Sequence, residues 1–492
     1  MILQRIYDDE LAQAAYLLGC ESTREAIVVD PSLDLDRYLE AARAENLRIT
    51  HVTETHIHAD FVSGSRALAA ATGATLHLPG EGGPDWSYAE ATTGNAPPAG
   101  EARDPGHAAA IRFLRDGDTI DVGTVRLTAL HTPGHTPEHV AFLVTDTAVS
   151  PEPVGMLSGD FIFVGDVGRP DLLERAAHVA GTMEPSARQL FASLRRVRTL
   201  PDGLQIWPGH GAGSACGKAL GAMPQSTLGY ERVANRALTI TDENEFVREI
   251  LSAQPEPPRY FARMKRVNRD GLAASPPHDP PRLDARGVDA AMRDGALVLD
   301  TRPSAAFVRQ HVPGSICVPR SRSFTTYLGA AAPEECAVVL LVAAAGDVPA
   351  LRLHLHLVGF DRVVGWAVTA DVLAERSSLG LPVGSLELTT VDAVSDGPAA
   401  AATPMLLDVR SAGERQEGVI PGVTEVALSQ LDEWARAHPQ TRPVVIHCGT
   451  GSRAIIGASI LRARGYDVVQ PLAGGYKAWV AAGHPVSIPT ST

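Results

Sequence analysis

The chain has 492 residues, 45% of them hydrophobic and 20% charged, a balance that excludes wholesale disorder and predicts about three domains at roughly 150 residues each. A net charge of −14, from 43 basic and 57 acidic side chains, offers no basic field to a nucleic-acid backbone. The longest nearly apolar run, Cys336 to Gly346, is too short for a bilayer span, the N-terminus MILQRIYDDE has no signal pattern, and Cys20, Cys216, Cys317, Cys336 and Cys448 are too scattered for a disulfide scaffold, so a reducing cytoplasm and no membrane partner are expected.

Alternating strand and helix patterns open the chain. Ala26–Asp30 reads as a buried strand closed by Pro31, Leu35–Glu45 as a helix and Arg48–Thr53 as a strand. Ser65–Thr72 is a short helix, and Ala74–Leu78, Thr124–Leu130 and His139–Val144 are further strands. A Pro-rich stretch over 256–282 predicts an extended linker, and a weaker break around Gly384 separates residues 283–384 from 385–492. These last two segments repeat each other. Leu297–Arg302 matches Met405–Arg410 at an offset of 108 residues, and Gly359-Phe360 matches Gly465-Tyr466 at 106. Each predicts an α/β unit on a parallel sheet.

The chemistry of residues 1–255 lies where strands end. His56-Ile57-His58-Ala59-Asp60 follows one strand, His131-Thr132-Pro133-Gly134-His135 another, Ser158-Gly159-Asp160 a third apolar stretch, and Pro208-Gly209-His210 a fourth. A lone His-x-His or Gly-Asp means little, but imidazoles and carboxylates converging in this order predict a centre for one or two divalent metals.

These motifs resemble those of the metallo-β-lactamase superfamily, whose fold is an αββα sandwich. Its hydrolases carry His-x-His-x-Asp-His and hold two metals, whereas Phe61 stands here in place of the last histidine. The second site would then keep Asp60, His210 and Asp160, with His58, Asp60 and His210 acting around a single metal. Resemblance to persulfide dioxygenases implies His56, His135 and Asp160 as ligands of one Fe(II) per chain, preferred over zinc. It also implies Arg169, in Gly168-Arg169-Pro170-Asp171, as a contact for the carboxylate of a thiol carrier; the alternative is a structural Arg169–Asp171 pair. The Gly-rich stretch after His210 resembles that of bacterial persulfide dioxygenases fused to rhodanese domains; an isolated loop cysteine is usually inert, but nearness to His210 makes Cys216 the expected persulfide-handling thiol.

Residues 385–492 contain Val444-Val445-Ile446-His447-Cys448-Gly449-Thr450-Gly451-Ser452-Arg453, a strand running into a glycine loop and then a helix. This resembles the rhodanese active loop. Backbone N–H groups of Gly449, Thr450, Gly451 and Ser452 would point at the Cys448 sulfur and stabilise its anionic persulfide, and Arg453 would hold an anionic donor or acceptor. The repeat over 283–384 keeps the scaffold but places Val342 and Asp347 where Cys448 and Arg453 stand, so it is expected to be unarmed.

The expectation is a fused enzyme. It oxidises a low-molecular-weight thiol persulfide with O2 to sulfite, and a sulfurtransferase joins sulfane sulfur to sulfite as thiosulfate. The family's habit implies a homo-oligomer. The rivals are a zinc thioesterase of the hydroxyacylglutathione hydrolase type with an accessory sulfurtransferase, and a sulfur-relay protein in which Cys448 alone acts.

Overall fold

The computed structural model describes residues 1–88, 110–175, 181–212, 214, 216–217, 220–252, 254, 256–271, 279–333, 336–395 and 403–488. They divide into two compact units, Met1–Ala274 with His356–Gly359, and Ser275–Leu355 with Phe360–Thr492.

Two six-stranded sheets build the first unit. One runs in the order β1 (Ile2–Asp8), β2 (Gln13–Gly19), β3 (Glu25–Val29), β4 (Arg48–Thr53), β5 (Thr75–Pro79) and β6 (Ile111–Leu114). The other contains β7 (Thr119–Val122), β8 (Val125–His131), β9 (Val140–Asp146), β10 (Gly155–Gly159), β11 (Gln205–Pro208) and β12 (Ser226–Thr227), also neighbours in chain order. The two-residue period of a strand assigns each side chain to a layer. Ala15 and Leu17 of β2 pack with Tyr38, Ala41, Leu68 and Ala69 of the helices Leu35–Ala44 and Ser65–Thr72. Ala14, Tyr16 and Leu18 face the second sheet, against Leu127, Ala129, Val140 and Phe142. On the far side, Leu190 and Leu194 of helix Met183–Val197 cover Leu130, Ala141 and Met156. The result is four layers, helix–sheet–sheet–helix, and the strands read from the sequence all form, with ends displaced by one or two residues.

The expected linker over 256–282 is corrected by the structure. Phe261–Asp270 is an α-helix, and it belongs to the first unit because Phe261, Met264 and Asn268 on one face are buried. Residues 272–278 of that stretch lie outside the described residues.

The second unit holds two four-stranded sheets with matching order. In one, β14 (Ile316–Cys317), β13 (Leu297–Asp300), β15 (Val338–Val342) and β16 (Val363–Val368) lie side by side and parallel. The other repeats this with β18 (Thr424–Glu425), β17 (Met405–Asp408), β19 (Val444–His447) and β20 (Val469–Pro471). Each copy also carries the same buried ion pair at the end of its first strand. Arg302 Nη2 donates to Asp300 Oδ2 at 2.7 Å, and Arg410 Nη2 to Asp408 Oδ2 at 2.7 Å. No helix among the described residues is long and apolar enough to cross a membrane.

Candidate metal centre and cysteine loop

Strand register assembles the first site. Val29 pairs with Thr53 on parallel β3 and β4, so Asp30 and Thr55 leave the sheet together. Gly159 pairs with Pro208 on β10 and β11, so Asp160 and His210 emerge as neighbours. His135 sits in the loop closed by the His131–Val140 pair of β8 and β9.

Hydrogen bonds then fix the tautomers. Asp30 has φ of +54°, a left-handed backbone that costs a non-glycine residue about 1 kcal/mol. Its carboxylate accepts the Thr55 N–H at 2.6 Å and the Thr55 hydroxyl at 2.9 Å, and lies 3.1 Å from His58 Nε2. Because the one hydroxyl hydrogen of Thr55 goes to Asp30, its oxygen, 2.9 Å from His56 Nδ1, accepts that ring's N–H and leaves Nε2 as a lone pair. His135 reaches the same tautomer by donating from Nδ1 to the Arg169 carbonyl at 3.1 Å.

The donor atoms of His56, His135 and Asp160 lie within 4.8 Å of one another, all buried. Asp160 Oδ2 is 3.4 Å from His135 Nε2 and 4.0 Å from His56 Nε2. Burial holds both imidazoles below the ordinary histidine value, His56 far below, which keeps them in the neutral, ligating form. Asp160 is 1% exposed, yet neither carboxylate oxygen accepts a hydrogen bond from a described residue. A buried carboxylate left this way costs several kcal/mol, a cost that a divalent cation between the three donors offsets. The residues present therefore fit a metal. The backbone is packed against them. A Cβ on Gly209 would stand 3.0 Å from Asp160 Oδ1, and one on Gly168 would overlap the Asp160 carbonyl at 1.7 Å.

A second buried cluster adjoins it, with donor atoms of Asp60, His210 and Cys216 within 4.8 Å of one another. His210 donates from Nδ1 to the Ala12 carbonyl at 3.0 Å and directs Nε2 at Asp60 Oδ2 (3.2 Å) and Asp160 Oδ1 (3.4 Å). Burial opposes a charge on His210, but the two carboxylates outweigh it and hold the ring well above its usual value.

In the second unit, Cys448 follows β19 directly. Gly451, at φ of +103°, starts the helix Ser452–Ala463 and donates its N–H to Cys448 Sγ at 3.1 Å. Tyr476 N–H closes on the Cys448 carbonyl at 2.7 Å and Lys477 N–H on that of Gly449 at 3.0 Å, which locks the loop. Arg453 forks onto Glu414, with Nη1 to Oε2 at 2.8 Å and Nη2 to Oε1 at 2.5 Å. In the sister sheet, Asp300 pairs with Leu341 as Asp408 pairs with His447, so Val342 occupies the place of Cys448.

Residues 8–210 match the metallo-beta-lactamase superfamily, and residues 390–482 match the rhodanese-like domain. The chain joins a metallo-beta-lactamase domain to a rhodanese-like domain. It is 37% identical to a metallo-beta-lactamase from Staphylococcus aureus subsp. aureus COL, whose crystal structure superposes with a TM-score of 0.65 over 75% of this chain and 99% of that one. A hydroxyacylglutathione hydrolase of Polaromonas sp. is 29% identical over 60% of this chain and 98% of its own length. The mitochondrial persulfide dioxygenase of Bos taurus is 27% identical over 50% of this chain and 80% of its own.

Within the metallo-beta-lactamase domain, His58 turns away from the centre. Burial opposes its charge, but Asp30 outweighs burial and raises the ring to about 9, so His58 is an imidazolium paired with a carboxylate. Phe61 is fully buried, its ring 4.4 Å from that of His58. One expectation needs correction. Arg169 presents nothing to a substrate: it is 0% exposed, with Nε and Nη2 on the two Asp171 oxygens at 2.9 and 2.7 Å. Cys216 does lie beside His210, buried, and burial pushes its thiol up to about 12.

Sequence reasoning missed Asn268. From the helix Phe261–Asp270 it donates to the carbonyls of His58 and Phe61, each at 2.7 Å, and accepts the Ser63 N–H at 2.9 Å. It thereby clamps the loop that carries Asp60. The available signal was the apolar spacing of Phe261 and Met264, hidden by the flanking prolines. Asn268→Ala leaves three backbone groups without partners and is expected to cost about 2–4 kcal/mol, read as a lower urea midpoint at unchanged slope.

Proposed function

We propose that the metallo-beta-lactamase domain oxidises a low-molecular-weight thiol persulfide at one Fe(II), and that Cys448 of the rhodanese-like domain carries a sulfane sulfur that sulfite can take up as thiosulfate. The oxidation balances as R–S–SH + O2 + H2O giving R–SH + H2SO3. The observation that carries this reading is the His56–His135–Asp160 cluster, two neutral imidazoles and one carboxylate, beside a position where Phe61 cannot ligate. Held by His56, His135 and Asp160, Fe(II) would supply the redox chemistry for the reaction of O2 with the persulfide's terminal sulfur. The chain supplies the rest. Thr55 and the Arg169 carbonyl hold the ligating tautomers, the His210 Nε2–H offers a proton beside Asp160, and Phe61 and Phe163 exclude water.

At the loop, the Cys448 thiolate attacks the outer sulfur of a donor, the donor's S–S bond breaks, and the bonding pair leaves with the donor. The Gly451 N–H and the helix start stabilise the resulting persulfide anion. Sulfite then attacks the outer sulfur and releases the thiolate. The copy at 283–384 keeps the scaffold with Val342 where Cys448 stands, and five cysteines that form no disulfide suit a reducing cytoplasm.

The Asp60–His210–Cys216 cluster favours a second reading, a two-zinc thioesterase like the 29% identical hydroxyacylglutathione hydrolase. Metal analysis with oxygen uptake on glutathione persulfide separates the two. One iron per chain and one O2 consumed per persulfide are expected; two zincs with thioester hydrolysis would overturn the proposal.

A further inference from the structure

We infer that Glu414 sets the charge of the sulfur donor that the Cys448 loop accepts, offsetting Arg453 so that singly charged donors of the persulfide and thiosulfonate type are favoured over dianionic thiosulfate. The inference rests on the sulfur-transfer reading of Cys448.

The loop from Cys448 to Arg453 has one cationic side chain, Arg453, and both its terminal nitrogens are held by Glu414. The pair stands at the mouth, across Gly449. A Cβ on that glycine would lie 3.4 Å from Glu414 Oε1 and 3.5 Å from Arg453 Nη2. Its side chains are 28% and 37% exposed, so an incoming donor meets a zwitterion rather than a bare guanidinium. Glu414 is itself fixed from the other side. It accepts the Ser411 N–H at 3.0 Å and closes a reciprocal cap on the short helix Ala412–Arg415. Burial works against its charge, but Arg453 and Ser411 outweigh burial and hold the carboxyl down at about 2, so the offset persists at every pH where the protein works.

Transfer to the loop forms a Cys448 Sγ–S bond and breaks the donor's S–S bond. Sulfite leaves from thiosulfate, or a sulfinate from a thiosulfonate, with the bonding pair. A donor of charge −2 gains twice as much as one of charge −1 from the removal of a neighbouring anion. At about 6 Å and water-like screening, this is about tenfold against about threefold in KM.

The test is cyanide-accepting sulfur transfer by the full chain, with thiosulfate (charge −2) and methanethiosulfonate (charge −1) as donors. Glu414→Gln keeps the cap, since glutamine serves in the same motif, and removes the charge. It is expected to lower KM about tenfold for thiosulfate and about threefold for methanethiosulfonate at unchanged kcat, with both effects shrinking as salt rises from about 0.05 to 0.5 M. Glu414→Asp, which retains the anion, should keep the wild-type ratio of the two KM values. Equal rises in KM for both donors, or no change in either, would overturn the inference and leave Glu414 as a strut for the loop. Absence of transfer in the wild-type chain would overturn the sulfur-transfer reading and the inference with it.

Discussion

Asp160→Ala is expected to release the metal and abolish oxygen uptake while leaving the fold intact. The carboxylate is buried without a hydrogen bond from any described residue, and in the metal-free chain its one close cationic neighbour among those residues is the His210 ring, with Nε2 3.4 Å from Oδ1. Removing it leaves Asp60 as the partner of His210, so the unliganded variant should still fold, with a Tm at or modestly below that of the unliganded wild type. The wild type gains stability from a bound metal in proportion to RT ln(1 + [M]/Kd), so its Tm should climb with added Fe(II) and that of the variant should not. Metal content should fall below about a tenth of an ion per chain and oxygen uptake by at least about 1000-fold, because two neutral imidazoles without a charged partner hold a divalent ion poorly. Thiosulfate:cyanide transfer should stay within about twofold of wild type, since that chemistry belongs to Cys448. If Asp160→Ala kept one iron and its oxygen uptake, the metal would have to sit among Asp60, His210 and Cys216 instead.

The parts of the site that the sequence disclosed are those governed by local pattern. Strand ends put His56, His135, Asp160 and His210 in loops, and pairing register then brings those loops together, which is the convergence that the ordered set of motifs leads one to expect. The same holds for the duplicated sheets, where an offset of 106 residues places Val342 opposite Cys448 and the strand pairing agrees. What stayed hidden depends on contacts between distant segments. Arg169 is as consistent with a substrate contact as with a pair to Asp171, and only its full burial decides. Asn268 reaches across more than 200 residues of chain to His58 and Phe61, from a stretch whose prolines suggest a tether. Asp30 reads as a strand terminus before Pro31, and nothing local says that its carboxylate orients one histidine through Thr55 and charges another.

Cys448→Ser is the complementary experiment, expected to abolish sulfur transfer and spare oxidation. Serine fits the space, and its hydroxyl can accept the Gly451 N–H that now reaches the sulfur at 3.1 Å, so the loop and its locks to Tyr476 and Lys477 should persist with little change in Tm. An alcohol at neutral pH is nevertheless a poor nucleophile and forms no stable persulfide, so transfer from thiosulfate to cyanide should drop at least about 1000-fold. Oxygen uptake on glutathione persulfide should remain within about twofold. The products should change: the wild type is expected to convert part of its sulfite to thiosulfate, and the variant should accumulate sulfite at thiosulfate's expense. Mixing Cys448→Ser with Asp160→Ala restores both activities on separate chains. The thiosulfate yield should then remain below that of the wild type if tethering raises the local concentration of the shared intermediate. Loss of oxygen uptake in Cys448→Ser would mean that the cysteine takes part in oxidation, and the division of labour between the two domains would fail.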